Sequence, residues 1–128
     1  MIHGIGKDLI EVERIGKTTL RYGDRFYTKI FTENEINYCK SKSNLNNQSQ
    51  CFAARFAAKE AFLKAIGTGL RNGLHWKDVE VSNDNLGKPN LVLRNTALEI
   101  IKKIKTSNIS LSISHTKNAA IAVVILEK

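Results

Sequence analysis

A chain of 128 residues with 42% hydrophobic residues suits one domain, residues 1–128, with a modest core, and is too short for two. One proline, eight glycines and 25% charged residues exclude a collagenous, linker-rich or disordered chain. Twenty Lys and Arg against twelve Asp and Glu give a formal net charge of +8, which favours nucleic acid, phosphate-rich ligands or an acidic protein as partner without choosing among them.

From Ile2 to Ile10 the chain reads as a strand that puts Ile2, Gly4, Gly6, Asp8 and Ile10 on one face. Asp8 therefore shares its face with apolar residues and glycines. A helix follows from about Glu11 with Val12, Ile15 and Thr19 inward, and a second opens at Thr32, where Thr32 and Glu35 have capping-box spacing, and ends near Lys40. Ser41 to Gln50, polar and without periodicity, is expected to be a loop or frayed helix end. Cys39 and Cys51 flank it. With no secretory n-region and h-region and no apolar run near the roughly 20 residues that span a bilayer, they are expected to be thiols in a reduced, cytoplasmic setting.

Cys51 to Ile66 is the strongest helix, free of Gly and Pro and stopped by Gly67. Phe52, Phe56, Leu63 and Ile66 line one side and Ala54, Ala58, Ala61 and Ala65 the other, so the helix is expected to be buried, and Arg55, Lys59, Glu60 and Lys64 need partners or a solvent-filled cleft. Strands near Val79 to Val81 and Leu91 to Leu93 frame a hairpin. Thr96 and Glu99 again have capping-box spacing, for a helix to about Lys105. Ile109, Leu111 and Ile113 alternate with serines as a half-buried strand, and after a turn over His115 to Asn118 the apolar run Ala119 to Leu126 suits a central strand. The fold class is α+β with an antiparallel sheet packed with helices.

Four constellations could carry chemistry. Asp8 and Glu60 are carboxylates set among apolar and small neighbours; with a phosphate ligand they would suffice for magnesium, although Glu60 could equally pair with Lys64 at i, i+4. Lys64, Gly67-Thr68-Gly69 and Gly87-Lys88-Pro89 offer phosphate contacts, but also read as a helix C-cap and a hairpin turn. Ser114-His115-Thr116 could serve a phosphate or a proton transfer, or be a hydrogen-bonded turn. Arg14, Lys17, Arg21 and Arg25 share one helical face if the helix runs that far, either to meet an acidic partner or simply as a solvated surface.

Together, Gly4-Ile5-Gly6-Lys7-Asp8-Leu9-Ile10, Arg55-Phe56-Ala57-Ala58-Lys59-Glu60-Ala61-Phe62, Lys64-Ala65, Gly67-Thr68-Gly69, Gly87-Lys88-Pro89 and Ser112-Ile113-Ser114-His115-Thr116 form an ordered set. On it the chain resembles the holo-acyl carrier protein synthases, the short class of the 4'-phosphopantetheinyl transferase superfamily, nearly end to end. The resemblance implies that Asp8 and Glu60 bind Mg2+ or Mn2+, that Lys64 meets the coenzyme A pyrophosphate, and that Arg55, the glycine loops and Ser114-His115-Thr116 line the coenzyme site. It implies a homotrimer with active sites between subunits. It also implies a basic first helix that docks acidic acyl carrier protein through Arg14, Arg21 and Arg25, with Lys17 a weaker member. In Ser41 to Gln50 this chain is richer in Asn and Ser than relatives, so no coenzyme contact is carried over there.

The reaction implied is attack of a carrier-protein serine on the pantetheine-linked phosphorus, with adenosine 3',5'-bisphosphate leaving, in the service of fatty acid biosynthesis. Asp8, Glu60 and Lys64 would carry it, with a metal-bound water near Glu60 or Asp8 itself as base. A nucleic-acid-binding module is the main rival; only 7% of residues are aromatic and no zinc-ligand spacing is present. A coenzyme-binding subunit without transfer activity would need neither carboxylate.

Overall fold

The computed structural model describes residues 1–128. In chain order it runs β1 (Ile2–Glu11), α1 (Val12–Tyr22), α2 (Asp24–Ile30), α3 (Glu33–Lys40), α4 (Leu45–Ile66), a 3-10 turn at Trp76–Asp78, β2 (Val79–Asn83), β3 (Pro89–Leu93), α5 (Asn95–Lys103), β4 (Asn108–His115) and β5 (Ala119–Glu127). The fold is α+β, with antiparallel sheets ordered β1-β5-β4 and β2-β3. β5 is central, as its apolar run requires, and α4 crosses the inner face of the larger sheet.

That crossing is unusually close, and two glycines permit it. A Cβ on Gly6 would stand 1.8 Å from the Ala61 carbonyl oxygen, and one on Gly4 2.5 Å from that of Ala65, so strand backbone lies directly on helix backbone. Gly4, Gly6, Asp8 and Ile10 thus face α4, and Ile5 and Leu9 point outward at 59% and 65% exposure. The other side of α4 carries Phe52, stacked on Tyr27 at 4.2 Å between ring centroids, and Phe56, 5.2 Å from Trp76.

Local chemistry accounts for the ends of most elements. Thr32 and Glu35 form the expected capping box, and Gly67 ends α4 in the left-handed conformation, φ 80°. Four expectations need correction. Gly23, at φ 60°, ends α1 with its N–H on the Thr19 carbonyl, so Arg25 lies on α2 rather than on the helix of Arg14, Lys17 and Arg21. Leu45 to Gln50 is not loop but the start of α4. The Asn44 side chain accepts from the Asn47 amide at 2.8 Å and the Gln50 amide group donates to Asn46 Oδ1 at 2.6 Å, so polar residues that look aperiodic satisfy a helix start through caps and i, i+4 pairs.

The other two concern Thr96 and the cysteines. α5 starts at Asn95 without a side-chain cap, because Asn95 Nδ2 is drawn to Asp78 Oδ1 at 3.2 Å and the Arg94 amide to the Asp78 carbonyl at 2.9 Å; the helix ends at Lys103. Cys39 and Cys51 are not thiols but a disulfide: the end of α3 packs on α4 with their Cα atoms 5.4 Å apart, inside bridging range.

Candidate active site

The glycine contact decides where Asp8 goes. One strand repeat beyond Gly6 it reaches the same side of α4, where Lys64 Nζ donates to its Oδ1 at 3.0 Å. Glu60 completes the group. Burial, and then the charge of Asp8, push the Glu60 carboxyl above its ordinary range, while Lys64 pulls it back. These are hard oxygen donors with only one ammonium between them. That set fits a small divalent cation that takes one or two carboxylates and fills its shell with water and phosphate oxygens; no third acidic residue, His or Cys joins them. Lys64 therefore pairs with Asp8 across the strand rather than with Glu60 along the helix.

A groove of about 410 Å³ opens from Glu60 and Lys64 past Gly67 and Gly69 to Leu63, Leu70 and Trp76. Gly67 lines it, but its N–H is committed to the Leu63 carbonyl, and the Thr68 hydroxyl bonds within its own loop to the Gly69 carbonyl at 3.3 Å. As C-cap and loop geometry these residues shape a wall; of the set only Lys64 extends a charge into it.

The remaining coenzyme candidates gather elsewhere. Arg55, 5% exposed, lies over the Tyr38 ring at 4.3 Å, donates from one terminal nitrogen to Asn83 Oδ1 at 2.6 Å and from the other to Cys51 Sγ at 3.5 Å, and leaves Nε without a partner. Burial draws its pKa down; the charge of Glu35 chiefly opposes this. His115 Nδ1 lies 2.9 Å from Gln50 Oε1. With Gly87 and Pro89 they line a second groove of about 380 Å³. Lys88 is exposed, its amide tied to Asp84 Oδ1 at 2.9 Å, and Thr116 accepts from the Asn118 and Ala119 amides at 3.2 Å as a turn residue. Ser114 pairs with Ile121 on the outer face of the sheet. Of Ser114-His115-Thr116, only His115 reaches a groove.

Both grooves draw on α4, from opposite sides. Arg55 and Lys64 are nine residues apart, about two and a half turns, and leave the helix in opposite directions. A single chain does not bring them to one phosphate group. Sequence reasoning missed Gln50, Asn83 and Tyr38, which hold His115 and Arg55, and Trp76. For Gln50 the usable signal was the Asn44 cap, which would have carried the helix through it.

Arg14, Lys17 and Arg21 are exposed along α1; Lys17 is engaged by Glu13 at 3.1 Å, and the Arg21 guanidinium lies over Tyr22 at 5.4 Å. Arg25 borders a cleft of about 440 Å³ with Tyr22, Phe26, Lys29 and Trp76. Trp76 also lines the carboxylate groove, so the basic surface and the carboxylates adjoin through one indole.

Comparison with known proteins places these features in a family. Residues 4–124 match the model of the 4'-phosphopantetheinyl transferase superfamily. The chain is 47% identical over 128 residues to the holo-[acyl-carrier-protein] synthase of Geobacter sp. (strain M21), covering 100% of each, and 50% identical over 127 residues to that of Solibacter usitatus, covering 99% of each. Among solved structures, the Bacillus anthracis holo-(acyl-carrier-protein) synthase in complex with CoA (3',5'-ADP) superposes with a TM-score of 0.80 at 41% identity, over 98% of this chain and 96% of that one. The Neisseria meningitidis holo-[acyl-carrier-protein] synthase gives a TM-score of 0.86 at 32% identity over 100% of both chains.

Proposed function

The chain belongs to the 4'-phosphopantetheinyl transferase superfamily, and from that membership we infer that it moves 4'-phosphopantetheine from coenzyme A onto a serine of apo-acyl carrier protein, leaving adenosine 3',5'-bisphosphate. The observation that carries this reading is the meeting of Asp8, Glu60 and Lys64 at the mouth of one groove, two hard carboxylates and one ammonium where a diphosphate needs charge neutralised. The nucleic-acid alternative gains no support, since Tyr27, Phe31, Phe52 and Phe62 are buried in the core and the exposed rings Tyr22 and Tyr38 are covered by Arg21 and by Lys42 and Arg55.

Asp8 and Glu60 hold the divalent cation in this reading, magnesium with manganese as an equivalent. Bound there, it would supply charge to stabilise the leaving phosphate. Lys64, free to turn from Asp8, binds the pyrophosphate as a point charge. The serine's proton needs an acceptor, and Asp8 and Glu60 are the carboxylates this groove offers. Arg55 and His115 bind the anionic coenzyme, with Gly67, Thr68, Gly69, Gly87, Lys88 and Pro89 as loop walls and Ser114 and Thr116 framing His115.

Because the half-sites leave opposite sides of α4, one complete site takes Asp8, Glu60 and Lys64 from one chain and Arg55 and His115 from another. A homotrimer closed through the outer sheet face achieves that, and the exposure of Ile5, Leu9 and Ile121 on that face (59%, 65% and 40%) supports it. Arg14, Arg21 and Arg25, with Lys17 secondary, dock the acidic carrier protein next to Trp76.

The test is a mass spectrum of apo-acyl carrier protein after incubation with this protein, coenzyme A and magnesium. A mass gain of one phosphopantetheine group per carrier is expected, and none at any enzyme concentration would overturn the assignment. Sedimentation of the same sample should give a trimer; a fully active monomer would contradict the shared site.

A further inference from the structure

The Cys39–Cys51 bridge stands inside the architecture of the Arg55 and His115 groove, not apart from it. Each of its cysteines adjoins a residue that shapes that groove. Tyr38, next to Cys39, underlies the Arg55 guanidinium at 4.3 Å, and Gln50, next to Cys51, holds His115 at 2.9 Å. Cys51 itself lines the groove, and its sulfur is 3.5 Å from an Arg55 nitrogen. The bridge also closes the 40–50 connection, whose Lys42 lies over Tyr38 at 4.3 Å.

We propose that Cys39–Cys51 is a redox-modification site that sets how well this groove binds an anionic ligand, tight when bridged and weak when reduced. The proposal rests on the reading of the groove as the coenzyme half-site. A dithiol reductant attacks Cys51 Sγ, the sulfur that faces the groove, and forms a mixed disulfide while Cys39 leaves as thiolate and takes a proton. The reductant's second thiol then displaces Cys51, also released as thiolate, and closes its own disulfide; two electrons pass to the protein. The guanidinium of Arg55 beside Cys51 stabilises the sulfur's negative charge as it leaves.

Reduction acts on the groove in two ways. It frees the Cys39 end of α3 from α4, the two staying joined through Glu35 and Lys59, so that Tyr38 and the 40–50 segment must be re-ordered when ligand binds. It also frees the Cys51 sulfur that Arg55 contacts at 3.5 Å, so that this side of the guanidinium is no longer held against a fixed partner. Both weaken binding, by about three- to tenfold, the cost of re-ordering one or two side chains on association. The carboxylate groove on the other side of α4 has no contact with either cysteine.

The experiment titrates coenzyme A by calorimetry, with magnesium, into protein purified without reductant and into the same protein after dithiothreitol, alongside Cys39→Ser. Alkylation under denaturing conditions counts thiols in each sample, and hydrogen exchange follows amides 38–50. The expected result is no free thiol before reduction, a dissociation constant about three- to tenfold higher after it, faster exchange across 38–50, and a Cys39→Ser affinity that dithiothreitol leaves unchanged. Two free thiols in the untreated protein, or equal affinity and equal exchange in the two redox states, overturn the proposal whether or not the variant folds. If coenzyme A binds neither form, the reading of the groove fails and the proposal with it, and the mass-spectral test of transfer shows that failure independently.

Discussion

Lys59 and Glu60 are consecutive residues of α4, and the fold treats their charges in opposite ways. Lys59 is fully buried, with its ammonium on Glu35 Oε1 at 2.7 Å, the Val79 carbonyl at 2.6 Å and the Trp76 carbonyl at 3.2 Å. Glu35 is closed off in turn by the Thr32 and Val81 amides at 2.9 Å each. Glu60, one step round the helix, opens into a groove and is crowded by Asp8. A charge whose hydrogen-bonding capacity is filled by the protein works for the fold, and one left short of partners beside solvent is available to a ligand.

Replacing each residue should split stability from activity. Lys59→Met leaves the Glu35 carboxylate buried without its counter-ion, and unfolding in urea should show a loss of about 3–5 kcal/mol. Glu60→Gln should cost transfer roughly 10²–10³-fold, the scale of removing one electrostatic contact to a developing charge, with the urea midpoint almost unmoved. A Glu60→Gln protein as destabilised as Lys59→Met would mean that the open side of α4 is structural too.

The division between these charges was only partly legible in the sequence. The strand, the capping box at Thr32 and the burial of α4 all follow from local pattern, and Asp8 and Glu60 stood out because carboxylates among glycines and alanines need a reason. Lys59 read only as one of four α4 charges that need partners or a cleft, since nothing local reveals that Glu35 and two carbonyls from the β2 side converge on it. Nor does spacing show that β1 lies on α4 closely enough for Lys64 to choose Asp8 over Glu60. The disulfide was missed for the same reason: it depends on how α3 lies against α4. Arg55 and His115 were identified together through family resemblance, while their separation from Lys64 follows from helical geometry that nine residues of spacing already contained.

Exposed charges on α1 extend the open category and should respond to salt as sealed ones do not. Arg14→Glu with Arg21→Glu should raise the KM for acyl carrier protein about tenfold at low salt, with that for coenzyme A unchanged. The gap should narrow as ionic strength brings the Debye length below roughly 8 Å. Steady-state kinetics with each substrate varied in turn checks this, and a shift in the coenzyme A KM instead would place the stripe on the wrong substrate.

Glu80 sits at the edge of the sealed group and provides the finest test of it. It is 4% exposed, accepts from the Thr32 hydroxyl, and meets exposed Arg94 at 3.1 Å. Burial alone would raise its carboxyl, but the Thr32 and Arg94 hydrogen bonds, with the charges of Arg94 and Lys59, prevail and hold it below the ordinary value of 4.5. A carboxylate whose folded value lies below its unfolded one contributes stability in full above 4.5 and loses it as pH falls through the folded value. Glu80→Gln removes that contribution and leaves a side chain close in shape to the protonated acid. The wild type should therefore be about 1–2 kcal/mol more stable than the variant at pH 7, the scale of hydrogen bonds to a charged group, and the difference should shrink steadily as the acid form takes over below 4.5. Urea unfolding of both proteins across that range gives the difference directly. A gap that stays constant into acid would mean that Thr32 and Arg94 bind the neutral form as well as the charged one, and that Glu80 belongs with shape rather than with charge in holding β2 against α3.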